Sequence, residues 1–327
     1  MEKLIAQFPK HISDGLYLSE NHDFSHLAEE KFNHIVICGM GGSGISGKVV
    51  ANWFLKDAKI PFYLLQNYDL PGFINQSTLF IASSYSGNTE ETLAATKLAA
   101  QKGAKIIGVS SGGELLKFCK NNGYEFIKVP GGNPPRSMMA FSIIQLTKIL
   151  CDANIVKKEA LKNIELSRTF LNRHLIDIKN KAKEVASLAL NKNLVIYADP
   201  TNEAIAIRFR QQVNENAKQL CWHHIIPEMN HNELVGWAGG NDNHAALFIS
   251  SQFMNERNTK RFELNQNIIS NRTAHVLAIN PIGGNLIEES FYLIHLLDWA
   301  SFYLSELNKV DPVEVNVIDY LKSQLIK

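Results

Sequence analysis

His34-Ile35-Val36-Ile37-Cys38-Gly39-Met40-Gly41-Gly42-Ser43-Gly44 is the stretch on which the reading of the fold turns. A short apolar run ends in a glycine cluster and passes directly into a helical pattern, Gly44–Leu55. Strand, tight glycine turn and helix in that order open a βαβ unit. Working outward, the alternation continues. Strands are predicted at Phe62–Gln66, Leu79–Ser83, Ile106–Ser110 and Glu125–Val129, and helices at Glu90–Lys102, Glu114–Asn121 and from Ser137 to Asp152. Apolar strands separated by helical patterns predict a parallel sheet covered by helices.

The stretch Lys157–Leu190 has no strand-like run and predicts two linking helices. After it the alternation restarts, with strands at Leu194–Ala198, Gln219–His223, Ala245–Ser250 and Val276–Asn280, and helices at Glu203–Ala217, Asn255–Gln266 and Leu286–Leu307. At about 150 residues per domain, a chain of 327 residues predicts two domains. They are drawn at 1–153, with a leading helical segment, and 154–327, with the linking helices and a C-terminal tail.

Composition excludes several classes of function. With 33 basic and 32 acidic side chains the formal charge is +1, so no field of one sign is available to hold a nucleic-acid backbone. The most apolar late stretch, 291–304, is interrupted by His295 and Asp298, short of the roughly 20 apolar residues of a membrane span. Met1–Leu18 has no uninterrupted apolar core and is not read as a signal peptide. Cys38, Cys119, Cys151 and Cys221 form no CxxC pair and read as reduced core thiols. A soluble, cytoplasmic protein without membrane or nucleic-acid partners is expected.

The glycine turn admits three readings. As GxGxxG (Gly39, Gly41, Gly44) it fits a dinucleotide site, yet the second strand ends at Gln66 and the nearest acid is Asp69. As a phosphate-binding loop it fails at Val49, where a Ser or Thr must ligate magnesium. As a purely steric turn its glycines bind nothing. The cluster Ser83-Ser84-Tyr85-Ser86-Gly87-Asn88-Thr89-Glu90 also follows a strand and opens a helix. One hydroxyl there is explained as an N-cap, whereas Ser84, Ser86 and Thr89 together suit an anion at a helix start. From the residues alone, Glu215 beside Lys218 reads more commonly as a surface ion pair, and His231, flanked by Asn230 and Asn232, reads evenly as a polar loop residue or a functional one. His223, His224, His231 and His244 show no HxxxH or HExxH spacing, and the adjacent His223-His224 on a strand point to opposite faces, so no metal site is predicted.

Together, Gly39-Met40-Gly41-Gly42-Ser43-Gly44 and Ser84-Tyr85-Ser86-Gly87-Asn88-Thr89-Glu90-Glu91-Thr92 resemble the sugar isomerase (SIS) domain. Pro134-Pro135-Arg136-Ser137, Asn214-Glu215-Asn216-Ala217-Lys218, Pro227-Glu228-Met229-Asn230-His231-Asn232-Glu233 and Ile318-Asp319-Tyr320-Leu321-Lys322 resemble the bifunctional phosphoglucose/phosphomannose isomerase family. The resemblance implies two SIS-type, flavodoxin-like, doubly wound parallel-sheet domains. It implies aldose–ketose isomerisation of a hexose 6-phosphate, with no redox cofactor and no metal. By the same resemblance Glu215 is the base, Arg136 stabilises the enediolate, His231 opens the ring with help from Lys322, Gly41, Gly42 and Ser43 border the sugar, and Ser84, Ser86 and Thr89 hold the phosphate. The histidine is expected from the partner subunit of a homodimer. Where the family often carries Thr-Pro before the Ile-Asp-x-Leu-Lys ending, this chain has Val315-Asn316. The lost hydroxyl predicts that both reactions are kept, with the mannose 6-phosphate reaction weakened. The rival readings are a non-catalytic phosphosugar sensor and a nicotinamide dehydrogenase.

Overall fold

Strands buried on both faces need cover on both sides, and helices on the crossovers of a parallel sheet supply it. The strand Thr78–Ser83 is buried at every position, and Ile35–Cys38 likewise. The computed structural model describes residues 1–325. In chain order the first elements are α1 (Glu2–Ala6), α2 (Phe8–Glu20), β1 (His34–Cys38), α3 (Gly41–Phe54), β2 (Phe62–Leu65), β3 (Thr78–Ser83) and α4 (Glu90–Gln101). Then come β4 (Lys105–Ser110), α5 (Gly113–Asn121), β5 (Glu125–Lys128), α6 (Met139–Asp152), α7 (Glu159–Arg173) and α8 (Leu175–Ala189). The rest are β6 (Asn193–Ala198), α9 (Glu203–Ala217), β7 (Cys221–Ile225), α10 (Glu233–Gly236), β8 (His244–Ile249), α11 (Glu256–Ser270), β9 (Val276–Ile279), α12 (Leu286–Leu307) and α13 (Asn316–Leu325).

One sheet has the order β2-β1-β3-β4-β5 and the other β7-β6-β8-β9, and every pairing is parallel. The first order is that of flavodoxin-like folds, and the second is the same winding one strand shorter. The doubly wound fold class expected from the sequence is therefore present twice.

Contacts gather the chain into two compact units: Ala6–Arg173 with Gly283–Glu288, and Met1–Ile5 with His174–Ile282 and the chain from Glu289 on. The expected division after residue 153 falls inside the first of these, because α7 lies on α2 and α6 and buries Ala160, Ile164, Ser167 and Leu171. Residues 326–327 of the expected second domain lie outside the described residues. Three other expectations shift. The first helix starts at Gly41 rather than Gly44, the strand expected at Gln219–His223 is Cys221–Ile225, and the expected tail contains α13. The strand starts late because Lys218 and Gln219 are spent closing α9: Lys218 is left-handed at φ +54°, and Gln219 N–H donates to Val213 O at 3.5 Å.

The N-terminal core packs Val36, Cys38, Phe80, Ala82 and Ile106 from the sheet against Ala95, Ala99 and Leu115 from α4 and α5. The C-terminal core packs Tyr197, Ala246 and Phe248 against Phe262 and Ile269 of α11 and Met229 and Trp237 of the β7–β8 connection. All four cysteines are buried and unpaired. Burial pushes the Cys38, Cys151 and Cys221 thiols up to about 12 and Cys119 to about 11, so none is a thiolate nucleophile at neutral pH. The polar interruptions of α12 are paired. Arg208 donates to Asp298 at 2.6 Å, and Trp299 Nε1 donates to His295 Nε2 at 3.0 Å. Among the described residues no helix is long and apolar enough to cross a membrane.

Two carboxyls near the ends of β6 and β8 have no ion pair among the described residues. Asp199 accepts from Thr201 N at 3.2 Å, and Glu289 accepts from Gln252 N at 3.0 Å and from Asn202 Nδ2 at 3.4 Å. Burial first, and for Glu289 also the neighbouring Asp199, holds both above the ordinary carboxyl range. The folded state therefore keeps a proton that the unfolded chain releases above 4.5, and stability falls as pH rises through the window between 4.5 and the raised value. Asn202 Oδ1, buried without a partner, could accept from an amide placed there. Glu289→Gln is accordingly expected to raise the thermal midpoint by a few degrees at pH 8, with the gain shrinking toward pH 4.5. Thermal unfolding of both proteins across pH checks this, and a midpoint that falls at pH 8 contradicts it.

Candidate active site

In the N-terminal unit β1 and β3 are neighbours, but the chain leaves β1 toward β2 and leaves β3 toward β4. Their carboxyl ends consequently border a crevice, the usual ligand position in such a sheet. The glycine turn follows β1 and the serine loop follows β3, so both sequence motifs reach the same crevice. Ser43 Oγ accepts from Tyr85 N–H at 3.1 Å and joins them. The approach is close: a Cβ on Gly39 would lie 2.6 Å from Ser83 O. Gly41 and Gly42 form the first turn of α3, where backbone N–H groups have no helix carbonyl to bond.

Within the serine loop, Ser84 is buried and its Oγ lies 2.8 Å from Thr89 Oγ1 while accepting from Gly87 N at 3.1 Å. Thr89 stands at the N-cap of α4 but makes no side-chain cap bond, and Ser86 Oγ, exposed, accepts from Asn88 N at 3.2 Å. A single capping hydroxyl therefore does not account for the cluster. Gly87 is left-handed at φ +71°, and a Cβ there would lie 1.8 Å from Gly112 O. Arg136, 6% exposed, sits in the turn Pro135–Ser137 against Gly42, whose Cβ would come within 3.7 Å of Arg136 Cα. Two helix N-termini, three hydroxyls and a permanently charged guanidinium are the components of an anion receptor.

The C-terminal unit carries the other three predicted residues on separate elements. Glu215 is half-buried in the last turn of α9. That helix turns a polar face toward α12: Arg208 and Gln212 bond Asp298 at 2.6 and 2.9 Å, and Asn216 Nδ2 bonds Ser301 Oγ at 2.9 Å. His231 is exposed at the end of the turn Glu228–His231. Its surroundings are fixed, since Asn230 donates to Asn265 Oδ1 at 2.7 Å and Asn232 to Glu228 Oε1 at 3.0 Å. Glu233 adds to this by accepting from the Tyr197 hydroxyl and lying 2.7 Å from His224 Nδ1. Burial and then the Glu233 carboxylate hold the Tyr197 phenol protonated above its ordinary range. Lys322 is exposed on α13, which buries none of its described side chains.

The chain matches the family described as SIS domain over residues 26–125 and the one described as Bacterial phospho-glucose isomerase C-terminal SIS domain over 178–325. It is 33% identical to a bifunctional phosphoglucose/phosphomannose isomerase of Caldicellulosiruptor bescii, covering 99% of this chain and 98% of the relative. The enzyme of the same description from Aquifex aeolicus is 34% identical over 90% of this chain and 91% of its own length. This chain belongs to the bifunctional phosphoglucose/phosphomannose isomerase family. Among solved structures, the C-terminal domain of glucosamine-fructose-6-phosphate aminotransferase from Francisella tularensis aligns with a TM-score of 0.78 over 96% of this chain and 98% of that one. At 16% identity that likeness speaks for the fold.

A dinucleotide reading of the glycine turn meets Gln66 rather than an acid at the end of β2, its amide 2.6 Å from where a Gly44 Cβ would stand. Among the described residues no group of three His, Cys, Asp or Glu side chains is placed to hold a metal ion. The sequence reading passed over Tyr197 and Glu233, whose pairing spans 36 residues and leaves no local pattern. It also passed over Asp199 and Glu289, which occupy in the second sheet the place that the serine loop borders in the first. Gly87→Ala is expected to weaken binding of a phosphate monoester at least about tenfold, because the new Cβ meets backbone rather than a movable side chain. Calorimetric titration of the folded variant checks this, and unchanged affinity would remove the serine loop from the site.

Proposed function

We propose that this chain is an aldose–ketose isomerase interconverting glucose 6-phosphate, and more slowly mannose 6-phosphate, with fructose 6-phosphate. The observation that carries the reading is the hydroxyl-rich helix start at the β1/β3 crevice, joined to family membership over nearly the whole chain. The reaction moves one proton between C1 and C2 and another between the two oxygens, so it calls for a base, a cation and a ring-opening proton carrier.

Ser84, Ser86 and Thr89, with the first amides of α4, hold the phosphate. Gly41, Gly42 and Ser43 border the open-chain sugar. Anchoring the phosphate away from the reacting carbons restricts the substrate to reactive orientations. Glu215 removes the proton from C2 of the aldose, leaving the pair of electrons to form the C1–C2 double bond of the enediol(ate), and returns a proton to C1. Arg136 balances the oxyanion with a charge that persists at any working pH. His231 and Lys322 pass protons to and from the ring oxygen. Val315, where the family resemblance implies a threonine, offers no hydroxyl, which supports glucose over mannose preference. A sensor of phosphosugars would use the serine loop alone and have no use for Glu215 at the end of a polar-pinned helix.

The working form is read as a cytoplasmic homodimer in which His231 acts in the partner's site. Support comes from its exposure at the tip of a well-anchored turn. Incubation of chelator-treated protein with fructose 6-phosphate in deuterium oxide should give glucose 6-phosphate, with less mannose 6-phosphate, each labelled at C2. Glu215→Gln should lower kcat by about 10²–10⁴, and substrate binding without turnover in the unaltered protein would return the sensor reading. Mixing inactive Glu215→Gln and His231→Ala proteins should restore activity, since a hybrid dimer holds one site with both groups. No recovery after verified subunit exchange would place His231 in its own chain's site.

A further inference from the structure

Lys218 ends α9 with φ +54°, a region that a lysine seldom adopts. This turns its side chain beneath the helix end. Nζ donates to Glu215 O at 2.6 Å, to Asp311 O at 2.8 Å and to Glu314 O at 2.7 Å. An ammonium has three protons and accepts nothing, so these three carbonyls use all of its donors. The charge also faces the negative end of the α9 dipole. The Glu314 carboxylate lies 3.9 Å from the same Nζ and accepts from Asn316 N–H, the first residue of α13. Val315 O then accepts from Ile318 N at 2.8 Å and Asp319 N at 3.2 Å, starting that helix. A second tie runs alongside: Asn308 Nδ2 donates to Ala217 O at 3.0 Å and to Gln219 Oε1 at 3.1 Å.

One side chain thus joins the last turn of α9, which carries Glu215, to the root of α13, which carries Lys322. Because α13 buries none of its described side chains, it has no packed face to fix its place. Its direction depends on how its root is held.

We propose that Lys218 is a positioning residue, clamping the root of α13 to the end of α9 and so fixing Lys322 and Val315 with respect to Glu215. The kinetic consequence rests on the isomerase reading above, whereas the clamp itself can be tested without it. Lys218→Met keeps the stem and removes all three donors. Glu314→Ala keeps the ammonium clasp and removes the acceptor for Asn316 N–H.

Hydrogen exchange followed by mass spectrometry should show the amides of Asn316–Leu325 exchanging at least about tenfold faster in Lys218→Met, with those of β6 and β8 unchanged. Glu314→Ala should loosen the same amides and, as a surface change, serves for both measurements if Lys218→Met does not fold. In turnover, Lys218→Met should lower kcat about tenfold with KM little altered, and in a Lys322→Met background should cost less than about twofold. A merely structural role would instead give additive losses. Unchanged exchange of α13 in both variants, or full additivity with Lys322→Met, overturns the proposal. Absence of isomerase activity in the unaltered protein would defeat the functional reading and leave the exchange measurement to judge the clamp alone.

Discussion

The N-terminal unit depends on one constraint: parallel strands must be joined by crossovers, and the crossovers from β1 and β3 go in opposite directions along the sheet. That single reversal leaves the carboxyl ends of two adjacent strands uncovered. It also aims the N-termini of α3 and α4, with their unpaired N–H groups, at the gap. The positive character of this gap therefore comes from backbone placed by topology. The hydroxyls of Ser84 and Thr89 refine a site that the winding has already made, and Ser43 keeps its two halves in register through Tyr85 N.

The C-terminal unit repeats the winding one strand shorter, with carboxyls at the crevice. After β6 and β8 stand Asp199 and Ser250 to Gln252, and Glu289 enters from α12. Burial first, and for Glu289 also the nearby Asp199, favours the protonated form of these carboxyls over the charged one. The second sheet supports the elements that carry Glu215 and His231.

How much of this was legible follows the range of the interactions. β1, β3 and the two loops that follow them are written in contiguous residues, so their periodicity and glycine or serine content reveal them directly. Helix α9 was legible over its whole length for the same reason. The start of α3 was misplaced because Gly41 and Gly42 read as turn residues, although glycine tolerates a helix's first turn. The Lys218 clasp was illegible for a different reason. Two of its three acceptors are backbone carbonyls 93 and 96 residues away, and a carbonyl carries no side-chain identity for a pattern to find. Likewise the division at Arg173 depends on α7 meeting α2, a contact between helices whose own sequences are ordinary amphipathic ones.

The polar seam between α9 and α12 holds the helix end that carries Glu215 in one register. Apolar ridges tolerate small slides and rotations, since one methyl contact replaces another. Arg208 and Gln212 on Asp298, followed by Asn216 on Ser301, are satisfied in one register alone. Slipping by a residue would leave a buried carboxylate facing no donor, at a cost of about 3–5 kcal/mol when such a pair is broken. Apolar residues of equal volume would serve stability as well or better, so the seam's distinctive contribution is geometric. Proton transfer to and from carbon is sensitive to displacements of about 1 Å. Asn216, the last rung, is the immediate neighbour of Glu215, so the register is enforced next to the residue proposed as the base.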